Sequence, residues 1–151
     1  MKTLQTNIAE VCLIYKSKVK AADRKKISTS RDAYQIFLDS WNTGTIEFLE
    51  EFKILLMNRS NSVLGILEIS KGGISGTVSD VRVIFAAAIK ANASGIIAGH
   101  NHPSGNLNPS ESDTRLTQKL KEAGNLLDIQ VLDHLILSTE DYYSFADNGN
   151  L

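Results

Sequence analysis

Apolar residues recur along the chain with two spacings, and the switches between them predict its elements. After Ser30, a natural N-cap, Tyr34, Phe37, Leu38 and Trp41 fall at i, i+3, i+4 and i+7, the stripe of one helix face, and Gly44 marks its end. Phe52 to Asn58 and Val63 to Ile69 read as two strands, and the polar residues Arg59, Ser60, Asn61 and Ser62 between them have the length and chemistry of a hairpin loop. Gly72, Gly73 and Gly76 then turn the chain. Asp80 caps a second helix whose stripe is Val81, Ile84, Phe85, Ala88 and Ile89. Gly95 to Gly99 is short and almost wholly apolar, which suits a central strand covered on both faces. A polar loop from His100 to Pro109 leads to a third helix starting at Ser110, with Leu116, Leu120, Ala123 and Leu127 on its buried face. The last long strand runs from Ile129 to Leu137, with Leu132, His134 and Ile136 on one face and Asp133 on the other.

Strand and helix alternate through the second half, so the pattern predicts an α/β fold: three layers around a mixed β-sheet, the hairpin supplying its antiparallel part. The first 27 residues stand apart. Glu10 to Val19 is rich in β-branched and aromatic types and predicts a strand. The tract that overlaps its end, residues 16 to 26, has no apolar period and reads as a basic linker, leaving 28–151 as the domain.

Composition narrows the class. The 151 residues are 42% hydrophobic and 22% charged with ten Gly and two Pro, which excludes collagenous and bulk-disordered chains. A single cysteine, Cys12, cannot form an internal disulfide, and no apolar run reaches 18 residues, so a cytoplasmic protein with no membrane partner is expected. The net charge of −1 hides an asymmetry, since Lys16, Lys18, Lys20, Arg24, Lys25 and Lys26 against Asp23 make the tract +5 and the remainder −6. That tract lacks interleaved aromatics, which favours a solvated loop over a nucleic-acid contact.

The chemistry lies in His100 to Asp113, HNHPSGNLNPSESD. Two imidazoles two residues apart point the same way in extended chain, and Pro103, Gly105 and Pro109 shape a turn that returns to Ser110 and Asp113. Two His and one carboxylate match a catalytic rather than a structural zinc site, with a coordination position left for water. Such a site makes hydrolysis the natural reaction class. Ser110 and Asp113 are also spaced as N-cap and N3 of a capping box, so helix capping is the competing account of both.

The spacing His-x-His, seven residues, Ser, two residues, Asp resembles the JAB/MPN (JAMM) zinc metalloprotease motif. The stretch His100-Asn101-His102-Pro103-Ser104-Gly105 with Pro109, Ser110, Asp113, Thr117 and the later Leu132-Asp133-His134 looks like its bacterial RadC branch. The resemblance implies a cytidine-deaminase-like α/β sandwich, Zn2+ held by His100, His102 and Asp113, an oxyanion stabilised by Ser110, and an upstream Glu as general acid/base. Its Glu-x-Phe pattern selects Glu50, with Glu51 and Glu68 as the alternatives. A deaminase is disfavoured because its zinc needs paired cysteines. The implied activity is cleavage of a peptide or isopeptide bond, with an inherited association with DNA repair, and the implied partner is a peptide or protein substrate. A non-catalytic partner-binding or DNA-associated module is the alternative, and self-association as a homo-oligomer is open. Two departures stand out: no helix-hairpin-helix region is evident in the residues before the domain, and the family's His-Pro-Arg-Glu stretch reads Asp80-Val81-Arg82-Val83 here.

Overall fold

The computed structural model describes residues 7–12, 14–73 and 78–151, so Gly76 of the expected glycine turn lies outside the described residues. Five strands form one mixed sheet: β1 (Glu51–Met57), β2 (Val63–Lys71), β3 (Gly95–Asn101), β4 (Gln130–Leu137) and β5 (Tyr142–Ser144), in the order β2-β1-β3-β4-β5. β1 pairs antiparallel with both β2 and β3, β3 runs parallel to β4, and β5 is an antiparallel edge. Alternation along β1 sorts the two faces. Phe52, Ile54 and Leu56 join the core under α2 (Val81–Lys90) and α3 (Glu111–Leu127), whereas Leu55 and Met57 join the core under α1 (Ser30–Ser40). The result is the expected α/β sandwich of three layers.

Local chemistry sets the helix starts. Asp80 caps α2 by accepting from the Arg82 N–H at 2.9 Å. The cap of α1 is Thr29, one residue before the expected Ser30, in a reciprocal capping box with Asp32. Ser30 is thereby left to meet the Tyr142 hydroxyl at 2.7 Å and the Asp147 carboxylate, tying α1 to the C-terminal segment.

Three expected positions are corrected. Ile89 and Leu127 are 51% and 43% exposed; α3 instead buries Thr117, Leu120 and Gly124. For α3 the reason is close approach to the start of β4: a Cβ at Gly124 would stand 2.3 Å from the Ile129 carbonyl oxygen, just before the strand, and 3.2 Å from the Val131 side chain within it. Leu132 does not share a face with His134. The β3–β4 register steps from Ile96↔Val131 to Ile97↔Asp133, so Leu132 is the extra residue of a bulge and packs toward α1.

No strand forms over the described residues of 10–19; Val11 and Ile14 are exposed, and Tyr15 meets the sheet by donating its hydroxyl to the Leu64 carbonyl at 2.7 Å. The basic tract contains one 3₁₀ turn, Ala21–Asp23, and its end runs beside the hairpin loop through a Lys26↔Ser62 bridge. No helix among the described residues is long and apolar enough to cross a membrane.

Candidate metal centre

β3 continues two residues further than the apolar run, so His100 and Asn101 belong to the strand. His100 is paired with Phe52 on one side and Ile136 on the other and is 3% exposed. Gly99 before it lies against the Phe37 ring, where a Cβ would come within 2.9 Å. The chain then turns sharply, the Gly105 N–H donating to the His102 carbonyl at 2.9 Å, with Pro103 in the second turn position and Gly105 at φ +79°. This turn brings the Asn106 carbonyl to 2.5 Å from His102 Nδ1. A carbonyl only accepts, so Nδ1 carries the hydrogen and the neutral ring presents its Nε2 lone pair.

The loop ends at Ser110, which caps α3. Its hydroxyl accepts from the Asp113 N–H at 3.1 Å, and the Asp113 carboxylate accepts from the Ser110 N–H at 2.8 Å. The same carboxylate faces both imidazoles, Oδ1 at 3.2 Å from His100 Nε2 and Oδ2 at 3.2 Å from His102 Nε2. The two Nε2 atoms are 3.0 Å apart. Capping and convergence on the imidazoles are therefore properties of one side chain, not alternatives.

Glu50 is half-buried, and a carboxylate oxygen of Glu50 lies within 4.8 Å of a ring nitrogen of both His100 and His102. Its place is set from two sides. Its backbone extends the hairpin through Gly72 N–H to Glu50 O (2.8 Å) and Glu50 N–H to Gly73 O (3.3 Å). Asn101, wholly buried, donates its carboxamide hydrogens to the carbonyls of Ile46 (2.7 Å) and Leu49 (2.8 Å) and accepts from the Glu51 N–H (2.8 Å). The alternatives lie elsewhere. Glu51 is 3% exposed and paired with Lys71 at 3.0 Å and Lys53 at 3.8 Å. Glu68 is exposed on edge strand β2, with β1 between it and β3.

Electrostatics favour a cation among these groups. Burial alone would raise the Asp113 carboxyl, but His100, His102 and the Ser110 N–H outweigh it and hold it far below the usual carboxylate range. Burial lowers His102, yet Asp113, the Asn106 carbonyl and Glu50 more than offset this and leave it above its ordinary value. His134 is driven well below the ordinary value by complete burial and by His100. Two imidazole nitrogens and a carboxylate, with a second carboxylate beside them, form a donor set that fits a divalent metal ion.

Three residues outside the His-x-His and Asp spacing support this geometry: Asn101, His134, whose Nε2 lies 2.8 Å from His100 Nδ1, and Thr117, whose hydroxyl lies 2.6 Å from His134 Nδ1. Asn101 could have been found from its position between two His on a strand, where alternation sends it to the opposite face. The role of Thr117 depends on α3 lying over β4, which no local spacing reveals.

The RadC-like JAB domain family model matches residues 27–150. Curated relatives include UPF0758 proteins from Flavobacterium johnsoniae, 47% identical over 83% of this chain and 53% of that one, and from Porphyromonas gingivalis, 42% identical over 85% and 56%. A third, from Staphylococcus haemolyticus, is 39% identical over 84% of this chain and 54% of its own. The chain spans about half the length of these curated relatives.

Proposed function

Since this chain belongs to the RadC-like JAB domain family, we propose that it is a zinc-dependent hydrolase acting on a peptide or isopeptide bond. The observation that supports this most is the convergence of His100, His102 and Asp113 beside a further carboxylate, Glu50, that a separate part of the fold holds in place. His100, His102 and Asp113 would hold the zinc ion, which would supply Lewis acidity and an activated water at this site.

The chain's own residues supply the rest. The Glu50 carboxylate takes the proton of the attacking water and returns it to the departing amine, which requires a carboxylate beside the centre rather than within its ligand set. Ser110 Oγ accepts from the Asp113 N–H and still carries its own hydrogen, which it donates to the oxyanion formed at the scissile carbonyl. Asn101 keeps the Glu50 segment at a fixed distance from the imidazoles on the same strand.

Metal analysis of protein purified without added zinc, followed by zinc addition, is the direct test. About one zinc per chain is expected, together with chelator-sensitive cleavage of a peptide or isopeptide library. A stoichiometry that stays near zero after zinc addition would overturn the reading.

A further inference from the structure

Behind the centre lies a buried chain of hydrogen bonds that the proposed chemistry does not use. The Thr117 hydroxyl donates to the Asp113 carbonyl at 2.7 Å, so its single hydrogen is committed. His134 Nδ1 lies 2.6 Å from the same oxygen and therefore meets only lone pairs, which places a hydrogen on Nδ1. At the other edge of that ring, His134 Nε2 lies 2.8 Å from His100 Nδ1.

His134 is 0% exposed and clamped between Phe145, stacked at 4.9 Å and 10°, and Phe52, edge-on at 5.6 Å. Among the described residues no carboxylate hydrogen-bonds to it, so a second hydrogen on this ring would be an unpaired charge in an apolar slot. With Nδ1 occupied, Nε2 is the acceptor. The hydrogen of the shared bond then sits on His100 Nδ1, and the His100 Nε2 lone pair is directed at His102 Nε2 and Asp113 Oδ1.

We infer that Thr117 and His134 are positioning residues that fix the tautomer and ring orientation of His100, so that its Nε2 is available to a divalent cation. The inference rests on the metal-centre reading above for its purpose, but not for its geometry. It gives the His of the Leu132-Asp133-His134 stretch a task, and separates it from its neighbour. Asp133 faces away and accepts from Ser144 Oγ (2.6 Å) and the Ala146 N–H (3.0 Å), which anchors the C-terminal segment carrying Phe145 against His134.

The relay depends on the threonine hydroxyl, so Thr117→Val, which keeps the shape, and Thr117→Ser, which keeps the hydroxyl, are the decisive pair. Long-range proton–nitrogen correlation spectra of metal-free, nitrogen-15-labelled protein should show His100 Nδ1 and His134 Nδ1 protonated in wild type and Thr117→Ser. In Thr117→Val, His134 is released from that tautomer. Zinc affinity, measured by chelator competition, should fall about 10- to 100-fold in Thr117→Val and His134→Phe, and be restored in Thr117→Ser. Melting temperatures of the metal-free proteins separate this loss from unfolding.

An unprotonated His100 Nδ1 in the wild type would overturn the inference, as would wild-type zinc affinity in a folded Thr117→Val. If wild type binds no zinc, the hydrolase reading fails, while the nitrogen spectra still decide the relay on their own.

Discussion

The Asn101 carboxamide accepts from the Glu51 N–H at 2.8 Å, so a residue flanked by His100 and His102 also fixes the segment that carries Glu50. Its three side-chain hydrogen bonds are all short, and two of them are fully buried. Asn101→Ala leaves two carbonyls and one N–H without partners, at a cost of about 3 kcal/mol of stability. Metal content should persist while turnover falls by about 10²-fold, since a displacement of about 1 Å is enough for that. Urea unfolding, metal analysis and rate on one preparation check the three outcomes together.

His102→Ala and Asp113→Ala each remove one donor from a set of three and should largely abolish zinc retention after dialysis. Asp113→Asn separates the two tasks of this side chain. The amide oxygen still accepts from the Ser110 N–H, so the cap costs on the order of 1 kcal/mol or less, while affinity falls with the lost charge. Equal zinc content in wild type and Asp113→Ala would retire Asp113 as a ligand.

Glu50→Gln should retain zinc and lose about 10²- to 10⁴-fold in rate. Glu68→Gln, on the exposed face of an edge strand, should leave both unchanged and shift stability by no more than about 0.5 kcal/mol. Glu51→Gln should lower stability instead, because Lys71 and the buried Lys53 lose their carboxylate. Full turnover in Glu50→Gln would remove it from the mechanism.

Ser110→Ala tests whether the cap also serves the reaction. The cap alone predicts about 1 kcal/mol of lost stability and an unchanged rate per bound zinc. The oxyanion role predicts a further loss of roughly 10²- to 10³-fold in kcat with zinc content intact.

Acid should weaken the metal-free protein through His134. Its pKa in the fold lies well below 6.5, so between that value and 6.5 the unfolded chain binds a proton that the native one does not. Stability therefore falls as pH drops below about 6.5, by up to about 1.4 kcal/mol per pH unit. His102 has the opposite sign and another window: its raised pKa adds stability below 6.5 that is lost as pH rises through the folded value. Unfolding midpoints at pH 7 and pH 5 should differ less in His134→Phe than in wild type.

Much of the fold was legible because its signals are local. The run Gly95–Gly99 is apolar on both faces, the hairpin loop is wholly polar from Asn58 to Ser62, and Asp80 and Ser110 stand where a cap's side-chain oxygen must stand. What was not legible depends on neighbours distant in sequence. Thr117 and Gly124, polar and small, stand outside the apolar stripe Leu116, Leu120, Ala123 and Leu127, yet α3 turns them inward because the start of β4 passes so close. Leu132 obeys strict alternation only until the bulge shifts it by one. The Glu-x-Phe pattern of the resemblance points to Glu50, but what sets Glu50 apart from Glu51 and Glu68 in the fold is the pairing of β1 with β3 and the grip of Asn101. β5, three residues long, has no pattern of its own to read.

The double duty of Asp113 has a consequence for local breathing of the molecule. Residues 103 to 112 join the end of β3 to the first turn of α3, and an ion bridging His102 and Asp113 would close them into a ring of fixed circumference. Closure removes the freedom by which such a loop opens. Amide hydrogens inside the ring, those of Gly105 and Asn106, should then exchange with deuterium more slowly as the ion is added, while those of α1, across the sheet, keep their pace. The turn would thus report occupancy as an exchange clock.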